Sequence, residues 1–283
     1  MHDIERHMII SVSVSRALDK FRESEYSVAA TNFLSPAEKI DVYNELIARI
    51  GNGISRCFFW GGSRGAERCA TVFLPEWLMP DAAPHSLPLD AERNLDFAEF
   101  LSVNPEIAEE IGIKCIRISG SQYGRLGHRD CLGALMGLGV GREYIGDIFR
   151  ISDREAGVFV SEKISGFVCA ELKAVGHDSV KTEIMDSDPL FEIPRIFEEM
   201  TLNVASRRLD CIVKAITGRS REASADMIRS GLVERSYVQD LKPDSQVMPY
   251  DVLSIRGYGK YVVKESGGET RSGRIRINCS KYI

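Results

Sequence analysis

Between residues 113 and 185 the sequence alternates β-type and helical patterns in an order that few folds accommodate. Apolar runs predict strands at 113–119, 147–151, 157–161 and 180–185, and helical periodicity predicts helices at about 129–138 and 164–175. The resulting order is β-α-β-β-α-β. Because each helix must bury one face, this order favours two helices packed on an antiparallel sheet.

The same order predicts a ferredoxin-like, RRM-like domain over residues 91–190, the central one of three small domains in an α+β protein. An RRM usually presents stacking aromatic side chains on its central strands, beside a basic-Gly-aromatic signature. The candidates in this chain are Phe149 and Phe159, which lack that signature. We therefore expect both to be core residues, and we expect any nucleic acid at this domain to contact its loops.

A small N-terminal α/β domain is predicted over residues 1–90. Its main helix should begin at Ser35-Pro36-Ala37-Glu38, which has the residues of a capping box, and should end near Gly51. The predicted buried stripe of this helix is Ile40, Tyr43, Leu46, Ile47 and Ile50. Strands at 56–60 and 68–74 flank a Gly-rich segment that lacks the Lys-Ser/Thr ending of a P-loop, so a hairpin turn is favoured over a phosphate-binding loop.

The third domain is predicted over residues 203–283. Leu209, Ile212, Val213 and Ile216 recur at helical spacing and give a first helix with one apolar face, which leaves Arg208 and Lys214 free to point elsewhere. Ser220 is the expected N-cap of a second helix, in which Met227 and Ile228 point inward. Short strands should follow at 232–235, 252–256 and 261–264, and Arg274 and Arg276 should share the outer face of a last strand.

Charge is distributed unequally along the chain. Residues 201–283 contain 15 Lys and Arg against 9 Asp and Glu, a balance of +6. Subtraction from the totals of 36 basic and 41 acidic residues leaves 21 against 32, a balance of −11, for residues 1–200. The overall charge of −5 thus conceals a basic end, as expected of a nucleic-acid-binding segment on an acidic carrier.

Several classes of protein are disfavoured by composition and motif. The seven cysteines stand singly, without a CxxC pair, which favours buried thiols in a reducing cytoplasm over a disulfide framework or zinc site. No segment is apolar enough for a membrane span, and no signal-type cleavage pattern follows the apolar run at 8–14. His128-Arg129-Asp130 matches part of a kinase catalytic loop, but Leu135 stands where that loop has Asn. We expect no metal, no cofactor and no membrane contact.

The last third of the chain resembles the S4 domain, an RNA-binding module of a small-subunit ribosomal protein, pseudouridine synthases and some tRNA synthetases. The resemblance spans about 206–263. It rests on three segments that come before, between and after the two predicted helices: Arg207-Arg208-Leu209-Asp210, Arg219-Ser220-Arg221 and Ser230-Gly231-Leu232-Val233. The chain differs from the family at three points. Ser224 replaces a common Ala, Arg235-Ser236 a common Asn-Gly, and Tyr250-Asp251 a common Gly-Asp.

Segments in all three predicted domains resemble the bacterial and plastid YlmH family. They are the run from Gly127 to Gly139, then Arg142-Glu143 and 145–148, together with Gly61-Gly62, 65–68 and 273–277. In that family an S4 domain follows an RRM-like domain and a smaller N-terminal one. The resemblance implies a ribosome-associated protein that binds rRNA and tRNA on the large ribosomal subunit and acts in ribosome-associated quality control of stalled nascent chains. Cyanobacterial and plastid members are often called photosystem II S4 domain proteins.

These observations predict a cytoplasmic, monomeric RNA-binding protein without catalytic residues. Two alternatives stay open: an RNA-modifying enzyme of the pseudouridine synthase type, and an adaptor that binds an acidic protein. Against the enzyme, Gly127 follows Gly124-Arg125-Leu126 where that family's motif needs Asp, and Asp210 fits a simple helical charge. His128 and Arg129 lie at the start of the first helix predicted for the central domain. There they could contact phosphate or serve as a purely structural cap, and the sequence leaves both alternatives open. The predicted RNA-binding residues are Arg207, Arg208, Lys214, Arg219, Ser220, Arg221, Arg229, Arg256, Lys260, Arg271, Arg274, Arg276, His128 and Arg129.

Overall fold

A computed structural model describes residues 11–79, 91–121, 126–186, 188–270 and 273–283. The chain divides into two compact units, Met1–Pro194 and Arg195–Ile283. Helices and strands are mixed in both units, so the α+β class is confirmed. The second unit begins eight residues before the boundary predicted at residue 203.

The first unit opens with α1 (Val12–Glu23), β1 (Ala29–Ala30) and α2 (Pro36–Ile50). The predicted capping box is present at the start of α2: Ser35 Oγ accepts a hydrogen bond from the Glu38 amide, and the Glu38 carboxylate accepts one from the Ser35 amide. The predicted stripe is correct in part. Val42 is buried with Tyr43 and Leu46, whereas Ile47 is 42% exposed, because the face of α2 that meets α1 and the sheet is rotated away from Ile47.

A 3₁₀ turn, Gly51–Arg56, leads into β2 (Cys57–Trp60) and β3 (Ala70–Phe73), which pair antiparallel as predicted. β1 adds to the free side of β3, giving the order β1-β3-β2. In the connecting segment Gly62 has a φ of +95°, and a Cβ built there would lie 2.3 Å from Cδ1 of Phe159. Glycine is therefore required for close packing at this point.

Two further helices, α3 (Ala91–Val103) and α4 (Pro105–Ile111), complete the core of this first sheet. The ring of Phe97 stacks on that of Phe58 with centroids 4.2 Å apart, and Leu101 and Ile107 are buried in the same cluster. The domain boundary predicted between residues 90 and 91 therefore separates elements that share one core.

The central sheet contains β4 (Ile113–Gly120), β5 (Ile145–Arg150), β6 (Glu155–Ser161), β7 (Ala174–Val175) and β8 (Asp178–Met185), and its helices are α5 (His128–Gly137) and α6 (Glu162–Glu171). The predicted β-α-β-β-α-β order is present, with strands arranged β5-β6-β4-β8-β7, all antiparallel. The second helix is shorter than predicted. It ends at Glu171 because residues 174–175 pair with β8 around Gly176, whose φ is +59°.

One face of the central sheet packs on aromatic residues of the N-terminal part of the unit. Phe149 and Phe159 are buried with Phe33, so the prediction that they are core residues is confirmed. The Asp147 carboxylate in β5 accepts hydrogen bonds from the backbone amides of Glu67 and Arg68, at 2.7 and 3.1 Å. The part of this face that β5 and β6 form, which an RRM uses together with its neighbours for stacking bases, is thus covered here.

The second unit contains β9 (Phe197–Val204), α7 (Leu209–Thr217), α8 (Arg221–Arg229), β10 (Val233–Arg235), β11 (Val238–Gln239), β12 (Val252–Ile255), β13 (Gly259–Glu269) and β14 (Ile275–Tyr282). The strands form a six-stranded sheet in the order β11-β10-β12-β13-β14-β9. The two helices and three short strands predicted from sequence are present, but β9 was missed. Its signal is the alternation of Met200, Leu202 and Val204, which face the core beside β14.

The predicted helical core positions of this unit are confirmed. Leu209, Ile212 and Val213 of α7 are buried with Met227 and Ile228 of α8, and Ser220 Oγ accepts the expected capping hydrogen bond from the Ala223 amide at 3.2 Å.

Burial raises the pKa of the Cys279 thiol to about 11, so it stays protonated at neutral pH. Within the described ranges, no helix combines the length and hydropathy needed to cross a membrane.

Candidate nucleic-acid interface

A buried carboxylate organises the starts of α7 and α8. The Asp210 side chain is only 4% exposed, and its Oδ1 accepts a hydrogen bond from Arg208 Nε at 3.1 Å. Its Oδ2 accepts one from Arg208 Nη2 and another from Arg221 Nε, each at 3.1 Å. We call Arg208, Asp210 and Arg221 the arginine cluster. Two guanidinium groups on one carboxylate leave this cluster with a formal charge of +1.

The pKa shifts in the arginine cluster favour an ionised Asp210 carboxylate and a protonated Arg208. Burial raises the pKa of Asp210, but the hydrogen bonds from Arg208 and Arg221 lower it more, and the net shift is downward. The hydrogen bond to Asp210 in turn raises the pKa of Arg208. Asp210 is thus more than the simple helical charge expected from sequence. Arg208 points away from the apolar core as predicted, but Asp210 holds it through two hydrogen bonds.

Backbone pairing fixes the segment that carries Arg208. It runs antiparallel to the loop between β11 and β12 (240–251), which we call the β11–β12 loop. The Val247 amide donates to the Arg207 carbonyl at 2.9 Å, and the Leu209 amide donates to the Ser245 carbonyl at 2.8 Å. Arg207 also donates from Nε to the Val247 carbonyl at 3.0 Å, so this predicted RNA-binding residue anchors the loop.

Three consecutive predicted residues lie at the start of α8. Arg219 donates from Nε to Tyr258 Oη at 2.8 Å, and Ser220 caps the helix. Arg221 follows as the first helical residue, and its side chain is 58% exposed. The positive end of the helix dipole and the guanidinium groups therefore favour an anion at the same place.

The other predicted cations have different surroundings. Arg229 pairs with Asp226 at 2.9 Å one turn earlier on α8, with both side chains exposed. The Lys260 ammonium lies 4.5 Å from the ring centroid of Tyr237 and 4.8 Å from that of Tyr282, so it is held by two aromatic faces. Lys214, Arg256, Arg274 and Arg276 are exposed as well, whereas Arg271 lies outside the described residues.

The structure thus brings Arg208, Arg219, Ser220 and Arg221 together. In the described part of the chain, no hydrogen bond or ion pair joins Lys214, Arg256 or Arg274 to this group. Of the expected outer pair at the last strand, Arg276 belongs to β14, and Arg274 precedes the strand.

The second predicted place of contact is the start of α5. His128 and Arg129 are its first two residues and both are exposed, while the N-cap is Gly127, which has no side chain to cap with. Asp130, in the same first turn, suits the helix dipole as expected. A phosphate contact by His128 and Arg129 stays a prediction. The nearby Gly124-Arg125 of the pseudouridine synthase comparison lies outside the described residues.

The central sheet is similar to a known protein family. Residues 107–188 match a family model described as "Putative RNA-binding domain in YlmH". This range covers β4 to β8 with α5 and α6, the elements that carry the β-α-β-β-α-β order.

Two individual proteins are also similar. The Ribosome-associated protein quality control protein P2 of Bacillus subtilis is 28% identical over 260 residues, which cover 92% of this chain and 89% of that protein. A solved structure, the cell division protein ylmH from Streptococcus pneumoniae, covers 64% of this chain and 95% of its own, with 17% identity and a TM-score of 0.42. The family-model match over the central sheet, together with the likeness to the Bacillus protein along nearly the whole chain, shows that this chain is similar to the YlmH family.

Proposed function

We propose that this protein binds structured RNA through its second unit, by phosphate contacts at the arginine cluster, and has no catalytic centre of its own. One observation carries the proposal: Asp210 holds Arg208 and Arg221 in fixed positions at the starts of two helices, with Arg221 largely exposed. A guanidinium held in place loses less side-chain entropy when it binds phosphate, and its planar fork suits phosphate oxygens.

The RNA class follows from the fold and the relatives. The order of the two helices and the strands after them supports an S4 domain, and the matched family model describes RNA binding in the preceding sheet. Because phosphates carry no base identity, recognition at the arginine cluster would depend on RNA shape.

The cellular setting is proposed by similarity. The Bacillus relative is named for ribosome-associated protein quality control. We infer that this chain associates in the cytoplasm with rRNA and tRNA on the large ribosomal subunit, and that it acts on stalled nascent chains.

Sedimentation with purified large ribosomal subunits, with and without tRNA, over a salt series tests the proposal. If six phosphates are neutralised, the logarithm of affinity should fall against the logarithm of salt with a slope of about −5. Arg221→Gln should weaken binding and reduce that slope by about one unit. The matched control is Arg22→Gln in the first unit, an exposed helical arginine paired with Asp19, and it should leave the slope unchanged.

Three results would contradict the proposal. They are failure to co-sediment at low salt, binding that does not respond to salt, and an Arg221→Gln protein that binds like the wild type. Complexes that survive ribonuclease would instead favour the adaptor that binds an acidic protein.

A further inference from the structure

An unusual turn lies at the end of the β11–β12 loop. Residues 248–251 form a β-turn closed by a hydrogen bond from the Asp251 amide to the Met248 carbonyl at 3.2 Å. Pro249 occupies the second position, and Tyr250 occupies the third with a φ of +70°. This is the arrangement of a type II turn, in which the third position strongly favours glycine. A tyrosine in this conformation is a clear backbone outlier.

The turn is fixed by its surroundings. The Asp251 carboxylate accepts hydrogen bonds from Ser236 Oγ and the Met248 amide, each at 2.8 Å, and it lies 3.4 Å from Arg235 Nη1. The Tyr250 amide donates to the Val263 carbonyl at 2.6 Å. The protein thus holds an unfavourable backbone conformation in place, and such strain often coincides with a functional position.

The side chain of Tyr250 differs from those of the other strained residues. Among the residues that the structure describes, Ser236 and Tyr237 also have positive φ without being glycine. Ser236 bonds to Asp251, and the Tyr237 ring faces the Lys260 ammonium. Tyr250 is 68% exposed, and in the ranges that the structure describes its side chain makes no hydrogen bond or ring contact. Its ring is therefore available to an external ligand.

The position of the turn points to the type of ligand. Gln246, four residues before Tyr250, pairs with Arg208 of the arginine cluster. Four residues of extended chain span at most about 14 Å, so the Tyr250 Cα lies within that distance of the Cα of Gln246, the residue that pairs with Arg208. Exposed aromatic rings and fixed cations on one surface are the combination with which proteins bind single-stranded nucleic acid, by stacking and charge together. Here the loop that carries Tyr250 is the one that pairs with the segment of Arg208.

We propose that Tyr250 stacks on an unpaired base of the RNA whose phosphates bind the arginine cluster. The inference rests on the proposed function and deepens it, because it adds a base contact to a site otherwise made of phosphate contacts. Stacking is tolerant of base identity, so the target would be a loop, bulge or end in the RNA.

Two probes separate the base contact from the phosphate contacts. One is a labelled oligoadenylate of about 12 nucleotides, and the other is an abasic oligomer with the same number of phosphates. The full chain should bind the oligoadenylate more tightly than the abasic oligomer. Tyr250→Gly should lose about five-fold or more in affinity for the oligoadenylate and keep its affinity for the abasic oligomer. Since glycine suits a φ of +70°, this variant should melt at the wild-type temperature or higher.

Two further variants complete the test. Tyr250→Phe keeps the ring and should bind both oligomers as the wild type does. Tyr26→Ala removes a tyrosine that is 79% exposed in the first unit, and it should change neither affinity.

Each result has a distinct meaning. Equal binding of oligoadenylate by Tyr250→Gly and the wild type would overturn the stacking contact and leave the proposed function intact. The same would follow if Tyr250→Gly bound both oligomers normally but lost ribonuclease-resistant association with large ribosomal subunits, which would make Tyr250 a protein contact. A wild-type chain that bound neither the oligomers nor large subunits would overturn the proposed function as well.

Discussion

At the scale of single residues, the buried carboxylate of Asp210 fixes the positions of two partly exposed arginine side chains. Its two oxygens accept three hydrogen bonds from Arg208 and Arg221, whose side chains are 35% and 58% exposed. The carboxylate is removed from solvent while the guanidinium groups remain within reach of a ligand. The proposed phosphate binding and the packing of the two helix starts therefore involve the same residue.

Replacement of this carboxylate should weaken the fold. Asp210→Asn keeps the shape of the side chain but removes the charge, so it should lower the free energy of unfolding by about 2 kcal/mol, a figure reduced for the exposure of the arginines. Urea denaturation of the full chain measures the difference. Asp226→Asn, which alters the exposed pair with Arg229, is the control and should cost less than about 0.5 kcal/mol.

The stabilisation from Asp210 should depend on pH. Its pKa in the folded protein lies below the ordinary value of 3.8, since the hydrogen bonds from Arg208 and Arg221 outweigh the effect of burial. The unfolded chain therefore takes up this proton first as the pH falls. The stabilisation should be complete above about pH 5 and disappear as the pH drops through 3.8 toward the folded pKa.

The difference in unfolding free energy between the wild type and Asp210→Asn, measured from neutral to acid pH, checks this expectation. The difference should be constant near neutral pH and should shrink in acid. A difference that grew as the pH fell would contradict the assigned direction of the pKa shift.

The sequence predicted Asp210 as a helical charge but not as a shared anchor. Its helical position follows from local periodicity. The contact with Arg221 forms only because the chain reverses at Gly218, whose φ is +70°, and α8 starts beside α7. Likewise, the differences from the S4 pattern at Ser236 and Tyr250 were visible in sequence, but the positive φ of both residues came from the structure.

At the scale of elements, part of the surface that an RRM uses for RNA is covered in the central sheet, over β5 and β6. Phe33 packs on Phe149 and Phe159, and a Cβ at Gly146 would lie 2.7 Å from Cε1 of Phe33. The missing basic-Gly-aromatic signature correctly predicted buried phenylalanines. It could not predict their partner, because Phe33 is more than a hundred residues away in sequence.

Removal of this aromatic cover should cost much stability. Phe33 is 3% exposed, so Phe33→Ala should lower the free energy of unfolding of the first unit by about 3–5 kcal/mol, from lost burial and the cavity left behind. Phe167→Ala on α6, where the side chain is 48% exposed, is the control and should cost less than about 1 kcal/mol. Equal effects of the two substitutions would show that the cover contributes little.

At the scale of the whole molecule, the two compact units differ from the three domains predicted by sequence. Short-range patterns located most helices and strands, since periodicity and capping are local properties. Domain limits depend on contacts between distant segments, such as those of α3 and α4 with β2, and these contacts leave no local signal.

The boundary of the second unit can be tested with two fragments. The fragment 195–283 contains all of β9 and should unfold cooperatively, with a circular dichroism spectrum of mixed helix and strand. The fragment 203–283 lacks most of β9 and loses the buried Leu202, which alone should cost about 2–5 kcal/mol. Equal melting temperatures for the two fragments would show that β9 is dispensable.

The pairing of β9 with β14 also sets an order in time. Val204 pairs with Ile275 and Phe197 with Tyr282, so the first strand of the sheet waits for the last one to be synthesised. Until then one edge of β13 is open and β9 has no partner strand in this sheet, and open edges invite pairing with other chains. A chain truncated before residue 275 would lack β14, so β13 and β9 would stay unpaired on these edges even if α7 and α8 formed. The final strand therefore joins β9 to the rest of the sheet and covers one edge of β13 and one of β9.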